Sequence, residues 1–389
     1  MAGVRFIHTA DWQIGMPSDF LTERASWGIS EARFEALRAM CDFANDADNG
    51  IDFLVVCGDI FDDSRIGKDP IDDTLEIIRQ FNCPVYAITG NHEVKGGENI
   101  LESNYLLENK PENFLILTQT FIDEKTGVEL IPAPVIGTHE KLNALVPTLE
   151  KLAPSQNVRI ALGHGRVDSL AYSGDSAAII NTKEVEDLIE SKKLDYVALG
   201  DRHSFTRIGS SGKFFYSGSP EATDFNEDAP GRFIVVDIPR KGETSVRDES
   251  VGKWTLARIG KPTDRFQIRG PASIEALRQE LDVFKNKSKT AIKLYLDIDT
   301  DPTTYSKYEE LRQRSERQFA TVVVRDGSER EVTPIISGDP TEEDIPQQLV
   351  GYLRDAYLDL FEQATAPGPN QMVAIQALRR FKGILERSK

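Results

Sequence analysis

Five apolar runs in this chain each end on residues able to hold a metal ion or move a proton. Val4–Ala10 leads into Asp11-Trp-Gln13, Phe53–Cys57 into Gly58-Asp59, and Val85–Thr89 into Gly90-Asn-His-Glu93. Val158–Leu162 leads into Gly163-His164-Gly165, and Tyr196–Leu199 into Gly200-Asp-Arg-His203. A single Gly-Asp or Gly-Asn-His is ordinarily just a turn. The recurrence changes the reading, because three of the five histidines fall directly at such strand ends. His8, three residues before Asp11, reads as a packing histidine, and His139 as a helix-capping or surface one. Asp11 and Gln13 are two apart and point the same way if the strand continues through them.

Mixed oxygen and nitrogen donors with no nearby cysteine suit Mn²⁺, Fe²⁺ or Mg²⁺ better than structural zinc. The donors available exceed the needs of one ion. Two divalent ions about 3.5–4 Å apart, bridged by a carboxylate, would use them all and could clamp a phosphoryl oxygen and activate water. His92 would then be free to act as an acid or as a transition-state donor.

The elements that must position these groups follow from hydrophobic periodicity. Phe34, Leu37, Met40 and Cys41 predict a helix over about 30–45, and Leu75, Ile78 and Phe81 predict another before the Val85 strand. This β-α-β-α-β order, with strands apolar on both faces, implies a sheet covered by helices on each side. Its ligands would lie outside the carboxyl ends of the strands, where the polar clusters fall. Residues 111–137 read as shorter strands turning at Thr126-Gly127 and Pro132-Ala-Pro134. Helices are expected near 139–152 and 182–191, the second capped by Thr182 with Val185, Leu188 and Ile189 inward, and strands over Phe214–Ser217 and Phe233–Ile238.

Residues 253–262 read as a linker and Phe266 as the start of a smaller α/β unit. Ser273 is expected to cap a helix bearing Ile274, Leu277, Leu281 and Phe284. The strand Ile292–Ile298 alternates and should expose one face; a charged helix over about 304–317 and the strand Thr321–Arg325 complete the unit. After a Gly338-Asp-Pro340 turn come two amphipathic helices separated by Ala366-Pro-Gly-Pro369, the last ringed by Arg379, Arg380, Lys382, Arg387 and Lys389.

A length of 389 residues implies two or three domains. The net charge of −17, from 46 basic and 63 acidic residues, argues against an unaided tight grip on nucleic acid. Cys41, Cys57 and Cys83 show no ligand spacing and read as reduced packing residues, which suits a cytoplasmic protein. No run approaches the roughly 20 apolar residues of a membrane span. The chain enters its first strand by Val4, so no signal peptide is expected.

In order, Asp11-x-Gln13, Gly58-Asp59, Gly90-Asn-His-Glu93, Gly163-His164 and Gly200-Asp-x-His203 resemble the calcineurin-like metallophosphoesterase pattern D-x-H, G-D, G-N-H-[DE], G-H and G-H-x-H. His8-Thr-Ala-Asp-Trp12, Gly58-Asp-Ile-Phe-Asp62, and Tyr216-Ser-Gly-Ser-Pro220 with Phe225 and Glu227 resemble its SbcD-type branch of DNA repair nucleases. The resemblance implies an α/β fold: a β-sandwich flanked by helices over 1–252, a capping α/β domain over 263–335, and a helix–loop–helix over 340–389. It implies one ion among Asp11, Gln13, Asp59 and His203, a second among Asp59, Asn91, His164 and Asp201, and His92 as the catalytic histidine. Mn²⁺ is the expected metal and DNA the expected substrate. An SbcC-like SMC-type ATPase is the implied partner, and a homodimer is allowed. Gln13 and Asp201 stand where the pattern has histidines. Besides a nuclease, a phosphoesterase acting on small diesters or nucleotides, and a catalytically weak scaffold for the ATPase, therefore remain open.

Overall fold

The computed structural model describes residues 3–94, 98–135, 145, 149, 156–170, 179–240, 242–336, 349–365 and 371–387. His139, most of the expected 139–152 helix, the Gly338-Asp-Pro340 turn, Ala366–Pro369 and Lys389 lie outside the described residues. Contacts divide the chain into two compact units: residues up to Asp19 with Glu23–Thr255, and Phe20–Thr22 with residues from Leu256 onward.

The first unit holds strands β1 (Val4–Thr9), β2 (Phe53–Cys57), β3 (Val85–Ile88), β4 (Phe114–Ile116), β5 (Phe121–Ile122), β6 (Glu129–Ala133) and β7 (Arg159–His164). It continues with β8 (Arg166–Val167), β9 (Ile179–Ile180), β10 (Tyr196–Gly200), β11 (Thr206–Arg207), β12 (Phe214–Tyr216), β13 (Arg232–Ile238) and β14 (Ser245–Ser250). They form not one sheet but two six-stranded sheets, ordered β14-β13-β1-β2-β3-β4 and β11-β12-β10-β7-β6-β5, with β8 and β9 paired separately as a two-stranded ribbon. The single-sheet expectation fails for a definite reason. Strands apolar on both faces are equally suited to burial between a helix layer and a second sheet.

The alternation along β1 shows the partition. Val4 and Phe6 face the second sheet with Phe53, Val55, Ile160, Tyr196 and Phe215. Ile7 faces outward, where it joins Leu37, Met40, Leu75 and Ile78 from the helices Glu23–Asn45 and Lys68–Arg79. The outer face of the second sheet is covered by Val185 and Ile189 of the helix Thr182–Glu190 and by Leu145 and Leu149. The result is the mixed α/β sandwich flanked by helices that the motif pattern implied.

Several local expectations are corrected. Thr182 opens its helix but does not cap it; Asn181 does, accepting from the Glu184 N–H at 3.1 Å. Pro132 and Ala133 are not a turn but lie in β6, paired in parallel with Leu162 and Gly163. A proline there is tolerated because only its carbonyl needs a partner. Helix Glu23–Asn45 begins about two turns earlier than its apolar spacing suggested.

In the second unit, the expected linker at 253–262 contains β15 (Thr255–Ile259), which joins β16 (Phe266–Ile268), β17 (Thr290–Thr300), β18 (Thr321–Arg325) and β19 (Ile335–Ile336) in one sheet. The β17 strand is buried on both faces apart from half-buried Lys293, Asp297 and Asp299, so its expected exposed face is absent. Ser273 sits inside its helix, Pro271–Asp282, and reaches back to Gly270. Helices Tyr352–Thr365 and Gln371–Arg387 pack on each other through Leu349, Tyr357, Ala374, Ile375 and Leu378. Among the described residues, no helix is long and apolar enough to cross a membrane.

Candidate metal centre

The strand ends converge because the two sheets meet there with almost no space between their backbones. A Cβ on Gly90 would stand 2.2 Å from Asp59 Oδ1, and one on Gly200 would stand 2.0 Å from the Cys57 carbonyl oxygen. These glycines permit close approach of one strand end to another, beyond any role in turning the chain. The loop Asp11–Ile14 lies alongside Gly58–Ile60: Asp11 N–H donates to the Gly58 carbonyl at 3.0 Å, and Gln13 N–H to the Asp59 carbonyl at 3.0 Å.

Asp11 and Gln13 reach the same place, though not by strand alternation. Strand β1 stops at Thr9, and both residues adopt left-handed backbone, φ 54° and 51°. Asp59 at φ 55° and Asp201 at φ 98° do the same, so four of the seven described non-glycine residues with positive φ are expected ligands. Such backbone costs on the order of 1–3 kcal/mol per residue and collects at functional sites.

The side chains form a continuous cluster. Asp11, Asp59 and His164 are buried, with donor atoms all within 4.8 Å of one another. Gln13 Nε2 donates to Asp59 Oδ2 at 3.1 Å, and the His92 N–H to Asp59 Oδ1 at 2.9 Å. His164 Nε2 stands 2.7 Å from Asn91 Oδ1, 3.5 Å from Asp59 Oδ2 and 4.0 Å from Asp201 Oδ1. The Asp201 N–H donates to both Asp11 oxygens, at 3.0 and 3.2 Å. His203 enters through charge, its imidazole drawing the Asp11 carboxyl down against burial.

Each imidazole is fixed by its inner nitrogen. His164 Nδ1 donates to the Cys57 carbonyl at 2.8 Å, and His92 Nδ1 to the Asp62 carbonyl at 2.6 Å. His203 Nδ1 lies 3.1 Å from Glu227 Oε1 and 2.5 Å from Thr223 Oγ1. This is the orientation that a ligating or proton-donating Nε2 requires.

Burial and the clustered carboxylates set the electrostatics of the site. Burial pushes the Asp11 carboxyl up to about 6, although His203 and His164 pull the other way. Burial would depress the His164 imidazolium, but Asp59, Asp11 and Asp201 override it and lift its pKa to about 9. His203 rises to about 9 likewise, its burial outweighed by Glu227 and Asp11. His92 rises to about 9 chiefly through its hydrogen bond to Asp62. The carboxylates of Asp11, Asp59 and Asp201 thus raise the proton affinity of the His164 imidazole between them.

The residues fit divalent metal. Among the described residues, Gln13 Oε1 is buried with no hydrogen-bond partner, an acceptor beside Asp59 that a cation would satisfy. His8 stands apart: fully buried, it bonds Tyr196 OH and the Leu199 carbonyl, and burial lowers its pKa to about 3.

Sequence reasoning passed over two residues. Glu93 is fully buried and accepts the N–H groups of Asp59 (2.9 Å), Phe61 (3.1 Å) and Gly90 (2.7 Å), tying two ligand loops to one carboxylate. Its place directly after Gly90-Asn-His was the available signal. Arg33 is 3% exposed on a helix read only for its apolar face, and its Nε and Nη1 have no hydrogen-bond partner among the described residues. Nothing local in the sequence marks it.

The profile of the family described as calcineurin-like phosphoesterase matches residues 4–205. The chain is similar to the "Uncharacterized metallophosphoesterase YhaO" of Bacillus subtilis (strain 168), 29% identical over 252 residues, which make up 61% of this chain and 58% of that protein. The chain thus spans less than two thirds of that relative's length. A solved structure, that of TT1561 of Thermus thermophilus, aligns at 13% identity with a TM-score of 0.39, covering 64% of this chain and 99% of that one.

Proposed function

Since this chain belongs to the calcineurin-like phosphoesterase family, we propose that it is a metal-dependent phosphodiesterase and, more narrowly, a DNA nuclease of the SbcD type that works with an SbcC-like ATPase. The observation that carries the hydrolytic reading is the buried Asp11–Asp59–His164 cluster with the unpartnered Gln13 Oε1 beside it. Asp11, Gln13, Asp59 and His203 would hold one divalent ion, and Asp59, Asn91, His164 and Asp201 a second, most simply Mn²⁺ given the hard oxygen donors. Such ions supply Lewis acidity toward a phosphoryl oxygen and a more acidic water.

The chain's own residues do the rest. Glu93 fixes the Asp59 and Gly90 loops, and Gly90 and Gly200 let the strand ends close on one point. His92 is partly exposed, with 27% of its side chain accessible and Nε2 3.9 Å from Asp59 Oδ2. Asp62 holds it protonated near neutral pH, so it suits donation to the leaving oxygen rather than metal ligation.

The narrower reading draws support from the second unit and its helix pair, for which a small-molecule esterase has little need. Val350, Tyr352, Leu353 and Val373 on or beside that pair expose apolar surface of the kind a partner covers. The net charge of −17 favours the runner-up, an esterase of small diesters or nucleotides. Single-turnover cleavage of a DNA duplex against a chromogenic diester, with and without Mn²⁺, separates them. Mn²⁺-dependent cleavage of the duplex is expected to be the faster; hydrolysis of the chromogenic diester alone would overturn the nuclease reading.

A further inference from the structure

Beside the metal cluster lie two arginines to which its chemistry assigns no role. Strands β7 and β10 run parallel in register and both end where His164 stands opposite Gly200; two residues past that pair come Arg166, the first residue of β8, and Arg202. The turn that carries Arg166 is held firmly: Gly165 N–H donates to the Gly200 carbonyl at 3.2 Å, and Tyr216 OH donates to the Gly165 carbonyl at 2.6 Å. Arg202 is anchored at its stem by Nε, which donates to Thr206 Oγ1 at 2.8 Å. Its two terminal amino groups have no carboxylate within ion-pair distance among the described residues.

Asp201, which directly precedes Arg202 in the chain, shows how close Arg166 is to the reacting centre. Its Oδ1 faces His164 at 4.0 Å, while its Oδ2 faces Arg166 Nε at 3.7 Å. One carboxylate therefore separates the metal cluster from a guanidinium whose side chain is 51% exposed. An ion pair that long and that accessible adds little stability. In a chain carrying −17 overall, cations placed at the lip of an anionic cleft call for an anionic ligand. Guanidinium groups bind phosphate oxygens in a two-pronged fashion that lysine cannot match.

We propose that Arg166 and Arg202 form a paired reader for a second phosphate, the one next to the scissile phosphate in a polynucleotide strand. This rests on the phosphodiesterase reading and deepens it. A substrate with a single phosphate fills the metal cluster and does not reach the arginines, whereas a strand engages both.

The test compares Arg166→Gln, Arg202→Gln and the conservative Arg166→Lys on two substrates with Mn²⁺. Bis(p-nitrophenyl) phosphate has no neighbouring phosphate; a single-stranded oligonucleotide has one on each side of most linkages. Each glutamine variant should lower kcat/KM for the oligonucleotide about tenfold more than for the small diester, through KM, since charged hydrogen bonds of this kind are worth roughly that factor or more. Arg166→Lys should recover part of the loss. The salt dependence of oligonucleotide binding, followed by fluorescence anisotropy, should flatten by about 0.7 in log–log slope for each phosphate no longer neutralised. Equal losses on both substrates would overturn the proposal and make Arg166 a mere counter-charge to Asp201, as would unaltered oligonucleotide binding. If the parent protein cleaves neither substrate yet its oligonucleotide binding depends on both arginines, the hydrolytic reading fails and the phosphate reader stands.

Discussion

Metal binding to this site should expel protons, and their number follows from the structure. His164 and His203 have pKa values of about 9, lifted by the surrounding carboxylates, so both imidazoles carry an extra proton at pH 7.5. A ligating Nε2 must lose that proton. Filling both metal positions should therefore release about two protons at pH 7.5, one for each ligating imidazole. Mn²⁺ titration by calorimetry in buffers of different ionisation enthalpy reads this number directly as the slope of observed heat against buffer enthalpy. His164→Gln or His203→Gln should each reduce it by about one.

The same shifts fix the sign of the pH dependence of stability. A histidine whose folded pKa exceeds its unfolded value stabilises the fold fully below pH 6.5 and loses that contribution as pH rises through about 9. For buried His164 alone this is on the order of 3 kcal/mol. The metal-free protein should accordingly melt at lower temperature at pH 9 than at pH 6.5, and saturating Mn²⁺ should add more stability at the higher pH. Release of less than about half a proton, or a melting temperature of the metal-free protein that is flat or rising over this range, would refute the reasoning.

Further predictions concern single residues. His92→Asn should slow cleavage about 10²–10⁴-fold with metal content unchanged by elemental analysis; loss of metal would instead put His92 among the ligands. Glu93→Gln turns one acceptor oxygen toward a backbone N–H as a donor and should cost about 1.5–3 kcal/mol in denaturant unfolding, together with weaker Mn²⁺ binding. Gly90→Ala, whose Cβ would overlap Asp59 Oδ1 at 2.2 Å, should bind less than its full metal complement even where circular dichroism is unchanged. Gln13→His should tighten the weaker of two unequal Mn²⁺ sites, since an imidazole is the better donor; two equal sites in the parent protein would remove the basis for that expectation.

The sequence by itself determined which groups could do chemistry and where each lies along its element. Runs such as Phe53–Cys57 ending in Gly58-Asp59 are local signals: apolar strands stop where a polar residue must face solvent or a ligand. Helices were legible for the same reason, as the 3.6-residue spacing of Leu37, Met40 and Cys41 depends only on which face is buried. Boundaries were less legible. Asn181 rather than Thr182 caps its helix, and Thr255–Ile259 is a strand rather than a linker, because caps and edge strands are settled by competing partners outside the local stretch.

Tertiary structure decided how many sheets there are and what brings the strand ends together. An all-apolar strand cannot say whether its second face meets a helix or another sheet; the packing of Val4 and Phe6 against Tyr196 and Phe215 answers that. It also decided the backbone at Asp11, Gln13, Asp59 and Asp201, where left-handed φ aims the side chains inward at a cost only the surrounding contacts can sustain. Glu93 and Arg33 gained their significance in the same way. A carboxylate that accepts three N–H groups from two loops, and a buried guanidinium facing the charges of Glu221, Asp62 and Glu227, are relations between distant residues, which spacing along one chain cannot express.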